Sequence, residues 1–350
     1  MRKALLIALF FVILVPVAEG RSRAVAHRGS GWQAPRCTEI KGLSWIRFFD
    51  ADKTVRASSE PPAPWREPVN LTEALAIGAT PNLMWAVTRD GAIHRSVDAG
   101  CTWSVAAHAT EVLAGKIQPN IIARHAEPVS FHTPVKMARL WRDGRIESFT
   151  FPETFVGVEV DPGNALRLRA VSVSGVVYES VDGGAVWARR GSAGAVELQT
   201  AHFDPANFDR VYAAPRASGL LLSNDGGMTW TPLAPFTTVQ VWDVFFSPAD
   251  AKAVWVDGWD TGEKASGLYR SNDGGRMFTR VAVKTNALYF TFGIFALHPR
   301  EPDTYAVEAY PGIKVMAPEG LRAYHWEEGR VPVWSPAGTL YYLLDPIMLR

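Results

Sequence analysis

The chain has 350 residues, of which 47% are hydrophobic and 20% are charged. This balance predicts a folded protein with a substantial core and excludes a chain that is disordered throughout. Lysine and arginine total 36 and aspartate and glutamate total 35, so the formal net charge is +1. Because no overall field attracts nucleic acid, we expect no nucleic-acid partner.

The first twenty residues have the layout of a secretory signal peptide. A basic Arg-Lys pair precedes an apolar run over positions 4–18, and small residues follow the run. This run is shorter than the ~20 residues that a membrane span needs. Cleavage after Gly20 fits the small-x-small rule, and cleavage after Ala26 is the alternative. We therefore expect an exported protein, periplasmic or extracellular, with no transmembrane segment once the signal peptide is removed.

The chain contains two cysteines, Cys37 and Cys101. An oxidising compartment would favour a disulfide between them. Such a bridge would close a loop of about 65 residues and contribute roughly 3–4 kcal/mol to stability in the loop-entropy description. The alternative is a pair of unpaired, buried thiols.

Four segments share the pattern Ser-x-Asp-x-Gly-x-x-aromatic, each between two strand-like stretches. This pattern has the chemistry of a hairpin turn, because the Asp carboxylate accepts hydrogen bonds from N–H groups of its own turn and the Gly takes a positive φ without a Cβ clash. The aromatic residue then begins the next strand as a packing residue. We assign structural rather than catalytic roles to Ser96, Asp98, Gly100, Trp103, Ser180, Asp182, Gly184, Trp187, Ser223, Asp225, Gly227, Trp230, Ser271, Asp273, Gly275 and Phe278.

These four segments resemble the Asp-box, or BNR, repeat of β-propellers. Sialidases, sortilin-type receptor domains, some xyloglucan-degrading enzymes and a photosystem II assembly factor carry this repeat. The resemblance covers most of the chain after the signal peptide. It implies four-stranded blades in which the box forms the turn between the third and fourth strands.

A second recurring feature, an apolar run that ends at or near a proline, allows the blades to be counted. Such runs end near residues 80, 118, 161, 204, 247, 298 and 345. Their intervals of roughly 40 to 50 residues are typical of one four-stranded blade. The last run, Leu340–Asp345, is predicted to be the inner strand of a closing blade whose other strands lie at about residues 43–65.

The count predicts an all-β fold, a seven-bladed β-propeller whose N- and C-terminal strands share the closing blade. Residues 1–20 are the predicted signal peptide, residues 21–36 an N-terminal extension, and residues 37–350 a single propeller domain. Counting the closing blade as the first, Cys37 and Cys101 fall on neighbouring blades, which favours the disulfide.

Binding surfaces of propellers usually lie on the face opposite the Asp-box turns, in the loops between the second and third strands and between blades. Two polar loops are candidates. The third-blade loop could hold a metal, but its spacing matches no known cage, so a polar surface loop is favoured and no metal or cofactor is expected. Its candidate residues are His125, Glu127 and His132.

The second candidate loop, in the sixth blade, combines an indole with three carboxylates. An indole can lie under a sugar ring while carboxylates accept its hydroxyl hydrogens. The alternative is a solvated loop. The candidate residues are Asp257, Trp259, Asp260 and Glu263.

Resemblance to sialidases implies a Tyr nucleophile, an Asp acid and three arginines, the first in a Phe/Tyr-Arg-Ile-Pro motif. The nearest stretch is WIRFFD at residues 45–50, which contains Arg47 and Asp50 but lacks the proline. No other arginine falls in a family motif, so the catalytic set is not carried over. We expect a monomeric, non-catalytic propeller that binds a protein or a glycan through its loop face. The alternative is a sialidase-like glycoside hydrolase with atypical active-site residues.

Overall fold

The structure is a computed structural model and describes residues 31–43, 46–50, 53–57, 71–115, 119–281, 290–309, 312–325 and 329–344. The predicted signal peptide and most of the predicted N-terminal extension lie outside the described residues. The domain boundary at residue 37 stays a prediction.

Four-stranded antiparallel sheets follow one another along the chain, and each sheet is one blade. Three N-terminal strands come first, namely β1 (Glu39–Ile40), β2 (Ile46–Asp50) and β3 (Lys53–Ala57). The second blade consists of β4 (Thr72–Ile77), β5 (Met84–Thr88), β6 (Ala92–Ser96) and β7 (Ser104–His108). The third consists of β8 (Asn120–Ile122), β9 (Val129–His132), β10 (Lys136–Leu140) and β11 (Ile146–Thr150). The fourth consists of β12 (Phe155–Asp161), β13 (Asn164–Ser172), β14 (Val176–Ser180) and β15 (Ala188–Ser192).

The remaining blades have the same order. The fifth consists of β16 (Leu198–Asp204), β17 (Asn207–Pro215), β18 (Leu221–Ser223) and β19 (Thr231–Pro232). The sixth consists of β20 (Val239–Phe246), β21 (Val254–Asp260), β22 (Ala265–Ser271) and β23 (Thr279–Arg280). The seventh consists of β24 (Phe290–Leu297), β25 (Tyr305–Ala309), β26 (Gly312–Ala317) and β27 (Gly320–His325), and the chain ends with β28 (Gly329–Trp334) and β29 (Leu340–Leu344).

The closing blade combines both ends of the described chain. Its strand order is β28, β29, β2, β3, with the short β1 parallel to β3 at the outer edge. The predicted seven-bladed, all-β propeller with a shared closing blade is therefore confirmed. First strands of neighbouring blades contact one another, as β12 and β16 do, and β28 packs against both β24 and β4, which closes the ring.

The predicted inner strand of the closing blade was wrong. Gly329–Trp334 is innermost, and Leu340–Leu344 is the second strand, paired antiparallel with β28 on one side and β2 on the other. The apolar run that ends at Trp334 is followed by Ser335 and Pro336, so this run and not Leu340–Asp345 is the counterpart of the other proline-ended runs. In the third blade the inner strand is Asn120–Ile122, after the predicted end near residue 118.

The core lies between the blades rather than inside any one of them. Inner strands are covered by sheets on both sides, and all six residues of β4 and all seven of β16 are buried. Outer strands such as β15 are largely exposed. Each interface has its own apolar cluster, for example that of Trp85 and Phe131 between the second and third blades.

Four Ser-x-Asp turns join the third and fourth strands of the second, fourth, fifth and sixth blades, at residues 96–103, 180–187, 223–230 and 271–278. In each turn the Ser hydroxyl accepts a hydrogen bond from the Gly N–H at 2.8–2.9 Å. Each turn also packs on the preceding blade. Arg139 donates to the Asp182 carbonyl at 2.7 Å, and Tyr212 donates to the Gly274 carbonyl at 3.1 Å. These turns therefore fasten neighbouring blades together.

A disulfide joins Cys37 to Cys101, with their Cα atoms 5.7 Å apart, which confirms the predicted pairing. Cys101 lies in the Ser-x-Asp turn of the second blade. Beside the bridge, the backbone N–H of Lys41 donates to the Cys101 carbonyl, and the Lys41 carbonyl accepts from the Trp103 N–H, both at 2.9 Å. The N-terminal segment thus connects the first blade to the second.

Candidate functional site

The sixth-blade candidates lie in a long hairpin on the face opposite the Ser-x-Asp turns. Asp257, Trp259 and Asp260 belong to β21, and Glu263 lies in the turn that leads to β22. Asp260 accepts hydrogen bonds from the N–H groups of Gly262 at 2.9 Å and of Glu263 at 3.3 Å.

Two of these carboxylates are engaged by other residues of the sixth blade. The second oxygen of Asp260 accepts from the Tyr269 hydroxyl at 3.3 Å. Burial and the nearby Asp260 charge raise the pKa of Tyr269 to about 12. Glu263 forms an ion pair with Arg280. Sugar binding by this hairpin stays a prediction.

The third-blade candidates do not form one loop on the predicted face. His125 and Glu127 lie between β8 and β9, in a turn between first and second strands, which is on the same face as the Ser-x-Asp turns. The predicted placement of these two residues was wrong, because β9 begins at Val129 rather than after the loop. His132 is at the other end of β9.

The two histidines of this blade have separate surroundings. The Nε2 atom of His125 lies 2.8 Å from the carbonyl oxygen of Asp161. His132 is buried, and its Nδ1 is 3.3 Å from the Thr133 carbonyl. Burial lowers the pKa of His132 to about 4. In the described part of the chain, no group of three or more His, Cys, Asp or Glu side chains is placed to hold a metal.

Arg47, the catalytic candidate from the sialidase comparison, lies in β2 and is buried in the first blade. Its guanidinium is 3.4 Å from the Ile46 carbonyl. The side chain of Asp50 lies outside the described residues. Catalytic roles for both residues stay predictions.

A cleft of about 430 Å³ opens between the second and third blades, on the face of the Ser-x-Asp turns. None of its lining residues except Glu127 was predicted from the sequence as a site residue. The side chains that shape the cleft are those of Trp85, Arg95, Val105, Glu127, Val129, Trp141 and Arg142.

The cleft is present where the third blade departs from the Ser-x-Asp pattern. Its third and fourth strands are joined by residues 141–145, a turn two residues shorter than residues 97–103 of the second blade. A Cβ atom added at Gly144 would meet nothing within 4 Å, whereas one added at Gly184 would strike Met137 of the preceding blade. The short turn therefore leaves uncovered a region that the Ser-x-Asp turns fill in the second, fourth, fifth and sixth blades.

Aromatic rings and guanidinium groups line the cleft. The Arg95 guanidinium carbon lies 5.9 Å from the centroid of the Trp85 ring, and that indole is 6% exposed. Trp141 donates from Nε1 to Glu147 at 2.7 Å. This hydrogen bond, with the charges of Arg139 and Arg145, holds the pKa of Glu147 below its ordinary value.

The balance of charge in the cleft is positive. Arg95 and Arg142 are exposed, and neither forms an ion pair with a carboxylate of the described chain. Glu127 accepts a hydrogen bond from the backbone N–H of Arg142 at 3.3 Å. Among the described residues that line the cleft, Glu127 is the one carboxylate. This arrangement suits an anionic or mixed ligand that also has apolar groups.

Comparisons with known proteins agree with the fold. No protein-family model matches the chain. Two structures of YCF48 have the same fold at 16% identity. That of YCF48 from Cyanidioschyzon merolae has a TM-score of 0.57 and covers 82% of this chain and 98% of that chain. That of YCF48 bound to D1 peptide has a TM-score of 0.54 and covers 92% of this chain and 99% of that chain. The chain is thus a seven-bladed β-propeller with the fold of YCF48.

Two further matches are more partial. The GH74 enzyme of Niastella koreensis is 15% identical, with a TM-score of 0.54, over 79% of this chain and 51% of that chain. A stretch of 164 residues is 30% identical to the dispase autolysis-inducing protein of Streptomyces mobaraensis. That match covers 46% of this chain and 41% of the Streptomyces protein, so the chain spans less than half of this relative.

The helices of the described part of the chain have four and three residues, at Thr110–Leu113 and Ala234–Phe236. None of them is long and apolar enough to cross a membrane.

Proposed function

We propose that this chain is an exported, monomeric, non-catalytic propeller that binds a polypeptide segment of a partner protein in the cleft between the second and third blades. The observation that carries the proposal is the cleft itself, which is open because the third-blade turn is short. Trp85, Trp141 and Arg95 offer it an aromatic and cationic lining. Aromatic and arginine side chains contribute most strongly to protein recognition.

Two of the comparisons support a protein partner. YCF48, which shares the fold, is seen bound to a D1 peptide. The Streptomyces relative takes its name from inducing the autolysis of dispase. Export is supported by the sequence of the first twenty residues and by the Cys37–Cys101 disulfide, since disulfides persist in oxidising compartments.

The rival function, glycoside hydrolysis, generally requires two positioned carboxylates. The described lining of the cleft has Glu127 alone. We therefore favour binding without catalysis.

The proposal is tested by panning a displayed library of random peptides against the immobilised mature protein. Val105 lines the cleft and is 51% exposed, so Val105→Trp should obstruct the cleft without disturbing the core. Val181 is 72% exposed in the Ser-x-Asp turn of the fourth blade, and Val181→Trp is the matched control.

We expect selected peptides to bind wild type and Val181→Trp equally and to bind Val105→Trp at least about tenfold more weakly, the loss of a well-packed contact. Peptides that bind all three proteins alike would overturn the proposal. Ligands on a glycan array, or turnover of fluorogenic glycosides that include sialosides, would favour the rival functions instead.

A further inference from the structure

Two interfaces of the ring contain the same aromatic–guanidinium pair. In the sixth blade, Trp255 of β21 is in register with Arg270 of β22, and the guanidinium carbon lies 5.3 Å from the indole centroid. In the second blade, Trp85 of β5 is in register with Arg95 of β6 at 5.9 Å. Both pairs join second and third strands.

The next blade presents a related segment to each pair. The seventh blade has Glu-Pro-Asp-Thr-Tyr at residues 301–305, and the third blade has Glu-Pro-Val-Ser-Phe at residues 127–131. Tyr305 packs on Trp255 with centroids 5.5 Å apart, and Phe131 packs on Trp85 at 6.1 Å. The two interfaces are therefore built on one plan.

They differ at the middle position of this segment. Asp303 forms an ion pair with Arg270, with the carboxylate oxygen 2.8 Å from a guanidinium nitrogen, across the interface between the sixth and seventh blades. Val129 occupies the same position of this segment in the third blade, where it is the first residue of β9, and it lines the cleft. Arg95 consequently has no carboxylate partner among the described residues, although Arg270 has one.

We infer that the cleft recognises an acidic polypeptide segment, whose Asp or Glu carboxylate pairs with Arg95 in the place that Asp303 takes beside Arg270. This inference rests on the proposed function and adds the chemistry of the ligand. A guanidinium and a carboxylate form charge-assisted hydrogen bonds that are roughly twice as strong as neutral ones. Arg142 contributes a second positive charge, while Val105 and Val129 provide apolar walls for a residue beside the acidic one.

A substitution copied from the other interface can test this inference, because it places a carboxylate of the chain itself beside Arg95. Val129→Asp should give Arg95 the internal partner that Arg270 has, and it should weaken a selected acidic peptide by about ten- to a hundredfold, the range expected for a lost hydrogen bond to a charged group. Asp303→Val makes the reverse change at the other interface and should leave peptide affinity unchanged. Val129 is buried, so Val129→Asp can fail to fold. Arg95→Gln is therefore the second variant, because Arg95 is exposed. We expect it to show the same loss of about ten- to a hundredfold in peptide affinity.

The outcomes separate this inference from the proposed function. Enrichment of Asp or Glu in the peptides that Val105→Trp blocks, with loss of affinity in Arg95→Gln, would support the inference. Blocked peptides that lack an acidic residue, or that bind Arg95→Gln as tightly as wild type, would overturn the inference and leave the proposed function standing. If Val105→Trp blocks no selected peptide, both are wrong.

Discussion

The hydroxyl of Tyr341 donates a 2.7 Å hydrogen bond to the carbonyl of Ala99, although the two residues are 242 positions apart in the sequence. Tyr341 is fully buried in the first blade, and Ala99 lies in the Ser-x-Asp turn of the second. Burial raises the pKa of Tyr341 above its ordinary value, so the hydroxyl stays a donor. This bond therefore links the C-terminal strands to the second blade where the ring closes.

Removing that hydroxyl should weaken the closure. Tyr341→Phe leaves the Ala99 carbonyl without its donor, and we expect the free energy of unfolding to fall by about 1–2 kcal/mol. Tyr212→Phe makes the same change at the fifth and sixth blades, where the hydroxyl donates to Gly274. Urea unfolding of the three proteins measures both effects, and a Tyr341→Phe midpoint equal to that of wild type would contradict this role.

The disulfide should contribute more than any single hydrogen bond. Its ends are 64 residues apart in sequence, and a loop of that size predicts about 4 kcal/mol in the loop-entropy description. We expect reductant to lower the Tm of wild type to that of the Cys37→Ser, Cys101→Ser double variant. Reductant should not change the double variant. A wild-type Tm that is insensitive to reductant would show that the disulfide does not stabilise the fold.

The Ser-x-Asp turns should lose stability in acid. Burial opposes ionisation of Asp225, but hydrogen bonds from Thr229, Ser223 and Met228 outweigh it and lower the pKa of Asp225 to about 2. A carboxyl whose pKa is lower in the folded state stabilises the fold above its unfolded pKa of about 3.8. That contribution is lost as the pH falls from about 4 to 2.

Asp225→Ala should therefore reduce stability at neutral pH and flatten its dependence on pH in this window, with peptide binding per folded molecule unchanged. Asp143→Ala is the control for stability alone, because Asp143 is exposed and accepts a single turn N–H, that of Arg145 at 3.0 Å, but lies in the turn beside the cleft. Urea unfolding at several pH values gives the comparison. A specific loss of binding in Asp225→Ala at full stability would contradict the structural role of the turn.

The burial of His132 predicts that stability also depends on pH in a second, higher range. The pKa of this histidine is about 4 when folded because burial disfavours the charged ring, against 6.5 for an exposed histidine. The unfolded chain binds this proton more readily, so stability should be full above about pH 6.5 and fall as the pH drops toward 4. His132→Gln should remove part of this slope. Equal slopes in the variant and wild type, measured by thermal unfolding, would show that His132 does not contribute.

Much of the fold was predictable because the repeated turn has its own local chemistry. The Ser and Asp side chains bond within the turn, as Ser223 and Asp225 do, so each copy can be recognised without knowledge of the rest. The position of the last inner strand was not predictable from the proline-ended runs alone, since both β28 and β29 are apolar and precede a proline.

The cleft could not be predicted in the same way. Arg95 and Val129 are brought together by the packing of two blades, and neither residue stands out in its own stretch of sequence. One signal was available, namely the absence of the Ser-x-Asp pattern from the third blade. It becomes informative once the structure shows that such turns cover the interface with the preceding blade.

The position of a bound peptide is the sharpest test of the cleft as a binding site. Hydrogen exchange of the backbone amides, measured with and without a library-selected peptide, reports where the ligand lies. We predict slower exchange in residues 123–128 and 141–145, beside the cleft, and no change in the sixth-blade hairpin turn at residues 261–264. Slower exchange confined to that hairpin would contradict the cleft as the binding site and would favour the surface that the sequence first indicated.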